Sequence, residues 1–197
     1  MTQARDMANL VGGSVPALTR KYYDVVNVAT ANKAEFTSIP STAKRIVVDC
    51  INIGTDVASD PGTLAFSVAV GGTYITTGYD GQGFYNATSS NAQGSESRTA
   101  EGGGVGDNVR SFYWSSQDNR RTDGSFAVDL IDSTNYIYKI TFSGHSILGD
   151  DDNSTRQQAM VQSFAFIDLS GPIDKVKIEL DAAGAIDHGS AIAYYEV

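Results

Sequence analysis

Over most of this chain the apolar side chains recur at every second residue. Leu64, Phe66, Val68 and Val70 alternate with Ala65, Ser67 and Ala69, and Phe126, Val128 and Leu130 alternate with Ala127 and Asp129. Tyr136, Tyr138, Ile140 and Phe142 alternate with Ile137, Lys139 and Thr141, and Val176, Ile178 and Leu180 with Lys175, Lys177, Glu179 and Asp181. A period of two sends successive side chains to opposite faces, so each stretch reads as a strand with one face turned to a core. The last one, with charges on every alternate residue, reads as a strand with one wet face. Gly71-Gly72 permits a tight hairpin into Thr73–Thr76. Further strands are expected over 22–29, 44–53, 110–116, 160–168 and 190–197. Nine or ten short strands separated by turn-rich loops predict an all-β fold, an antiparallel β-sandwich or barrel.

Helical spacing is confined to residues 2–13, where Ala4, Met7, Ala8 and Val11 share a face, Thr2 caps the start and Gly12-Gly13 ends it. So short a helix is marginal alone and must pack on something, either its own domain or a partner. Residues 14–21, with Pro16, read as an extended connector. The expected organisation is an N-terminal helical arm and connector over 1–21 followed by one β-sandwich domain over 22–197, a reasonable size for a single core among the 197 residues. Two loops stand out. Residues 86–108, with Gly102-Gly103-Gly104-Val105-Gly106, carry little that forms a core and read as a long functional or flexible loop, and Gly149–Ser154 as an acidic turn.

Charge narrows the partners. Lys plus Arg is 14 and Asp plus Glu 23, a net charge of −9, so phosphate-rich partners are repelled: neither nucleic acid nor an anionic membrane surface is expected. Charged residues are scarce at 19%, and Gly, at 20, is abundant, which is the composition of turns and strands. No stretch is apolar enough to span a bilayer, and Met1–Met7 lacks the apolar centre of a signal peptide, so synthesis in a cytoplasm without a standard secretory route is expected. Cys50, the single cysteine, sits in the apolar run Ile46–Ile51 and reads as a buried thiol rather than a nucleophile.

Groups able to do chemistry are few. His145, after a strand, and His188, in a turn, are the only histidines, and no Gly-x-Ser-x-Gly elbow accompanies them. Asp150, Asp151, Asp152 and Asn153 lack the Gly and distal Glu of a calcium loop, because Gln157 and Gln158 stand downstream. The glycine run at 102–106 has no Lys-Ser or Lys-Thr after it and is no phosphate loop. Asn86-Ala87-Thr88 and Asn153-Ser154-Thr155 match the glycosylation pattern by chance on this reading, for want of a secretory signal. Arg110, Arg120 and Arg121 flank Phe112-Tyr113-Trp114, either a ligand-stacking cluster or a strand feeding the core. Ten tyrosines supply amphipathic area suited to interfaces. No cofactor, metal or catalytic constellation is expected.

Three places together carry a resemblance. Phe36-Thr37-Ser38-Ile39-Pro40-Ser41-Thr42 leads into the apolar strand from Arg45 to Ile53. Ile173-Asp174-Lys175-Val176-Lys177-Ile178-Glu179-Leu180 precedes a closing Gly189-Ser190-Ala191-Ile192-Ala193-Tyr194-Tyr195-Glu196-Val197, and Gln3–Gly12 is like the short opening segment of many phage appendage proteins. The chain resembles the small antiparallel β-sandwich (jelly-roll-like) virion structural proteins of tailed bacteriophages, found as head decoration proteins and as fibre or knob modules. It differs from their closing pattern at Tyr195-Glu196, where a small residue and Gly are more usual. The resemblance implies a non-enzymatic role on the outer surface of a virion, as a homotrimer bound to other virion proteins, the major capsid protein or tail and portal components.

With one short domain, an arm and no fibrous shaft, the first expectation is a capsid decoration (cement) protein on the outer face of the head. The arm residues Ala4, Met7, Ala8, Leu10 and Val11 then dock or make trimer contacts, unless the helix merely covers its own domain. The alternative is a short tail fibre or receptor-binding adhesin that meets a host surface glycan through residues 86–108 and Arg110, Tyr113, Trp114 and Arg120. A glycan-active enzyme is the least supported class, because it needs two carboxylates held about 5–10 Å apart, with Asp118, Asp123 and Asp129 the candidates.

Overall fold

The alternating stretches form strands, and every described pairing between them is antiparallel. The structure, a computed structural model, describes residues 21–22, 26–27, 33–54, 64–89, 92–96, 109–111, 121–148, 157–180 and 188–197. In chain order the strands are β1 (Lys21–Tyr22), β2 (Val26–Asn27), β3 (Lys33–Thr37), β4 (Arg45–Gly54), β5 (Leu64–Val70), β6 (Thr73–Tyr74) and β7 (Asp80–Ser89). They continue with β8 (Ala92–Glu96), β9 (Val109–Ser111), β10 (Arg121–Asp132), β11 (Ile137–Leu148), β12 (Gln157–Asp168), β13 (Lys175–Leu180) and β14 (His188–Glu196). A nine-stranded sheet runs β1-β14-β4-β10-β11-β12-β7-β8, with β2 also on β14. A five-stranded sheet runs β3-β13-β5-β6, with β9 also on β5.

One apolar cluster joins the two sheets. Ile46, Val48, Phe126, Val128, Ile140, Phe142, Val161 and Ile167 from the large sheet share it with Ala34, Phe36, Phe66, Val68, Val176 and Ile178 from the small one. At its centre the Phe66 ring stacks on Phe126 across the sheets at 4.8 Å, and Phe126 meets Phe142 at 4.6 Å. Each buried phenylalanine contributes roughly 1.5–3 kcal/mol from burial, and a ring pair about 0.5–1.5 kcal/mol more.

Two glycines make room for this cluster. Gly124 of β10 lies opposite Gly144 of β11, and a Cβ at 144 would stand 2.3 Å from the Asp123 carbonyl and 2.8 Å from the Phe142 ring. With no side chains there, the two backbones leave the Phe142 ring its place.

The strand pattern holds with informative differences. The Gly71-Gly72 turn has positive φ at both residues (59° and 81°) and joins β5 to β6 as expected. β13 buries Val176 and Ile178 and leaves Lys175, Lys177 and Glu179 partly exposed. In β5, however, both faces are buried from Leu64 to Ala69, where one wet face was expected. The outward residues Ala65, Ser67 and Ala69 are small and lie opposite Glu179, Lys177 and Lys175, whose longer side chains stand beside them. Lys177 turns its Nζ to 4.6 Å from the Tyr74 ring.

The strand expected over 22–29 is described at Tyr22, Val26 and Asn27, all paired with β14. Three further expectations change. Residues 80–89 and 92–96, partly assigned to a long loop, pair as the hairpin β7–β8 beside β12. Backbone pairing with β12 and with each other places these Gly-, Asn- and Ser-rich segments in the sheet. β3 was not foreseen as a strand at all. His188, expected in a turn, opens β14 opposite Gly54. The helical arm, with Ala4, Met7, Ala8, Leu10 and Val11, lies outside the described residues, as do the acidic turn and the glycine run.

Candidate binding face

Because alternate residues of β11 and β12 fill the core, the remaining ones make a continuous outer face. Register places them in rows across the large sheet. One row reads Glu196, Arg45, Asp129, Lys139, Phe166 and Asp80 from β14 to β7. The next reads Tyr194, Val47, Ala127, Thr141, Phe164, and the third Ile192, Asp49, Ser125, Ser143, Gln162.

The two halves of this face differ. Toward β4 and β10 it is self-paired: Arg45 Nε lies 3.5 Å from Asp129 Oδ1, and Ser125 donates a short hydrogen bond to Asp49. Toward β12 it exposes large apolar groups: Met160, Phe164 and Phe166 are 66%, 37% and 43% exposed on one side of one strand. Phe164 and Phe166 stand 6.5 Å apart, edge to face at 75°. Beside them lies an open depression of about 420 Å³ lined by Lys139, Thr141, Ser143, Gln162 and the two phenylalanines, with the buried Phe142 and Ser163 also touching it.

The smaller sheet's outer face is an ion-pair network that satisfies itself. Glu35 is 3.0 Å from Lys33 and accepts a 3.0 Å hydrogen bond from the Tyr74 hydroxyl, and Lys177 pairs with Glu179. The Lys33 ammonium, then the Tyr74 hydroxyl, hold the Glu35 carboxyl below its usual range. Burial, then the bond to Glu35, pushes the Tyr74 phenol up.

Chemistry-bearing groups are placed as follows. Cys50 is buried against β10 and β14, and burial, with Asp49 and Asp123 adding to it, drives its thiol far up, so it stays protonated. His145, 51% exposed, has its Nε2 3.7 Å from Asp123 Oδ2, while Asp123 Oδ1 accepts the Asn52 N–H at 2.7 Å. Asp123 thereby holds an irregular stretch of β4: residues 50–54 shift register against both β10 and β14, with Asn52 at φ 52°. Asp123 and Asp129 are six residues apart on one strand, about 20 Å, too far to flank one bond. Asp118 lies outside the described residues.

Of the ligand-contact candidates, Arg110 falls in β9, its backbone opposite Ala65, and Tyr113, Trp114 and Arg120 lie outside the described residues. Met160, Phe164 and Phe166 were missed as a surface. The signal was present but ambiguous, because β12 is apolar at both parities and nothing in the strand itself says that the smaller set faces inward. Among the described residues no group of three or more His, Cys, Asp or Glu side chains converges as a metal cage, and no helix is long and apolar enough to cross a membrane. No family model, curated protein or solved structure matches the chain.

Proposed function

We propose that this chain is a non-enzymatic structural protein of a tailed-phage virion, a jelly-roll-like sandwich that works by attachment at the outer surface. The observation that supports attachment is the row Met160, Phe164, Phe166: large apolar groups exposed together on one strand mark an interaction surface. Head decoration is the first reading, with a homotrimer multiplying modest contacts and the arm residues Ala4, Met7, Ala8, Leu10 and Val11 docking on the major capsid protein. A tail-fibre adhesin is the second, favoured by the polar groups that line the depression beside the two phenylalanines.

Imaging of antibody-labelled protein on intact virions tests this. Label over the head is the expected result, label at the tail replaces decoration by the adhesin, and label on neither removes the chain from the virion.

A further inference from the structure

Three cross-strand pairs, Lys139 with Phe166, Thr141 with Phe164 and Ser143 with Gln162, surround the depression on the outer face of β11 and β12. We infer that it is a binding site for a neutral glycan, taken as a short oligosaccharide segment. This deepens the attachment reading and rests on it only in taking this face as one that meets a ligand.

Four observations converge on that ligand chemistry. First, the perpendicular rings of Phe164 and Phe166 present a face and an edge side by side, and such aromatic area packs the apolar C–H surface of a sugar ring. Second, apart from the buried Phe142 and Ser163, the rest of the lining is polar: two hydroxyls, an amide and an ammonium, with Ser143 and Gln162 exposed and Lys139 and Thr141 half-exposed. An apolar occupant would desolvate these groups without pairing them, which is costly. Sugar hydroxyls donate and accept, and so satisfy an amide and hydroxyls at once.

Third, charge argues against an anionic chain. Lys139 is the sole cation of the lining and lies opposite Asp129, while the protein carries −9 overall. Sulfated or phosphorylated polymers therefore meet net repulsion. Fourth, the depression lies on a sheet face whose strands are hydrogen-bonded on both sides, β10 on β11 and β7 on β12. A peptide cannot add there as a further strand. The volume, about 420 Å³, is within the range of roughly 300–1,000 Å³ that small-ligand sites occupy, and its open form suits a segment of a longer chain.

The test uses the full chain on an array of neutral di- to tetrasaccharides built from glucose, galactose, mannose and N-acetylhexosamines, with sulfated and sialylated oligosaccharides as the anionic arm. Titration calorimetry follows on the strongest binder. The expected result is binding of a neutral oligosaccharide that is insensitive to salt. Phe164→Ala and Phe166→Ala should each weaken it about tenfold or more, and Gln162→Ala should weaken it severalfold, with circular dichroism unchanged in all three. Should a phenylalanine variant fail to fold, Gln162→Ala and Thr141→Val decide. The inference is overturned if no neutral oligosaccharide binds, if binding survives these substitutions, or if the anionic arm binds better and loses affinity with salt. Concentration-dependent self-association that Phe164→Ala abolishes, without glycan binding, overturns it in favour of a protein interface. Glycan binding by a chain that virion imaging places on neither head nor tail would sustain the site and sink only the virion assignment.

Discussion

Tyr79 does two jobs with one side chain. Its ring is buried, and its hydroxyl accepts the Val68 N–H at 3.1 Å and donates to the Ile75 carbonyl at 3.3 Å, where β5 has run past the end of the short β6. Tyr79→Phe leaves the buried Val68 N–H unpaired and should cost about 1–3 kcal/mol, read from urea unfolding at neutral pH. Burial pushes the Tyr79 phenol up to about 12, against the opposing pull of the Val68 N–H. The folded state thus holds this proton more tightly than the unfolded state, whose phenol titrates near 10. Its contribution is complete below pH about 10 and declines as pH rises toward about 12, a loss on the order of 2 kcal/mol. Tyr79→Phe should flatten the alkaline fall in stability measured by urea unfolding across that window. Burial pushes the Tyr74 and Tyr138 phenols the same way, so part of the fall should remain. None of this is legible in the sequence, where Tyr79 is one tyrosine of ten.

Single elements show how far the sequence can be read. β13 declared itself, because its apolar residues occupy one parity and its charges the other. β12 did not: Phe164 and Phe166 outrank Ala165 and Ile167 in size, yet the smaller set faces inward. The reason lies on neighbouring strands. Ala165 must fit beside Gly81, where an added Cβ would stand 2.7 Å from its own, and the inner volume is already occupied by Phe66, Phe126 and Phe142. Facing is thus decided by partners far away in the chain, as is the rescue of low-apolarity segments such as β7 and β8. The irregular stretch of β4 is equally non-local, since its cap, Asp123, comes from β10. Asp123→Ala should lower stability by about 1 kcal/mol and speed hydrogen exchange at the Asn52 amide. Asp123→Asn retains an acceptor oxygen and should restore most of both. Little of the change will come from the His145 pair, whose half-exposed partners are worth about 0–1 kcal/mol.

At the scale of the whole molecule, strands distant in sequence are adjacent in space: β4 lies between β14 and β10, and β13 between β3 and β5. The all-β class and the two antiparallel sheets were legible from alternation and turn residues, whereas this strand order was not, because periodicity says which face is buried and nothing about the neighbour. β14 places Ala191 and Ala193 in the core and takes the Lys44 N–H on the Glu196 carbonyl. Deleting residues 188–197 should therefore abolish cooperative unfolding rather than shift its midpoint, as followed by circular dichroism and amide dispersion in NMR spectra. The same arrangement reaches back to synthesis. β4 leaves the ribosome well before β10 and β14, so both of its sides stay open while most of the polypeptide is made, and the nascent chain offers any neighbouring nascent chain a sticky edge. Crowded polysomes would then be the place where this protein is most at risk, and a holdase there its most useful companion.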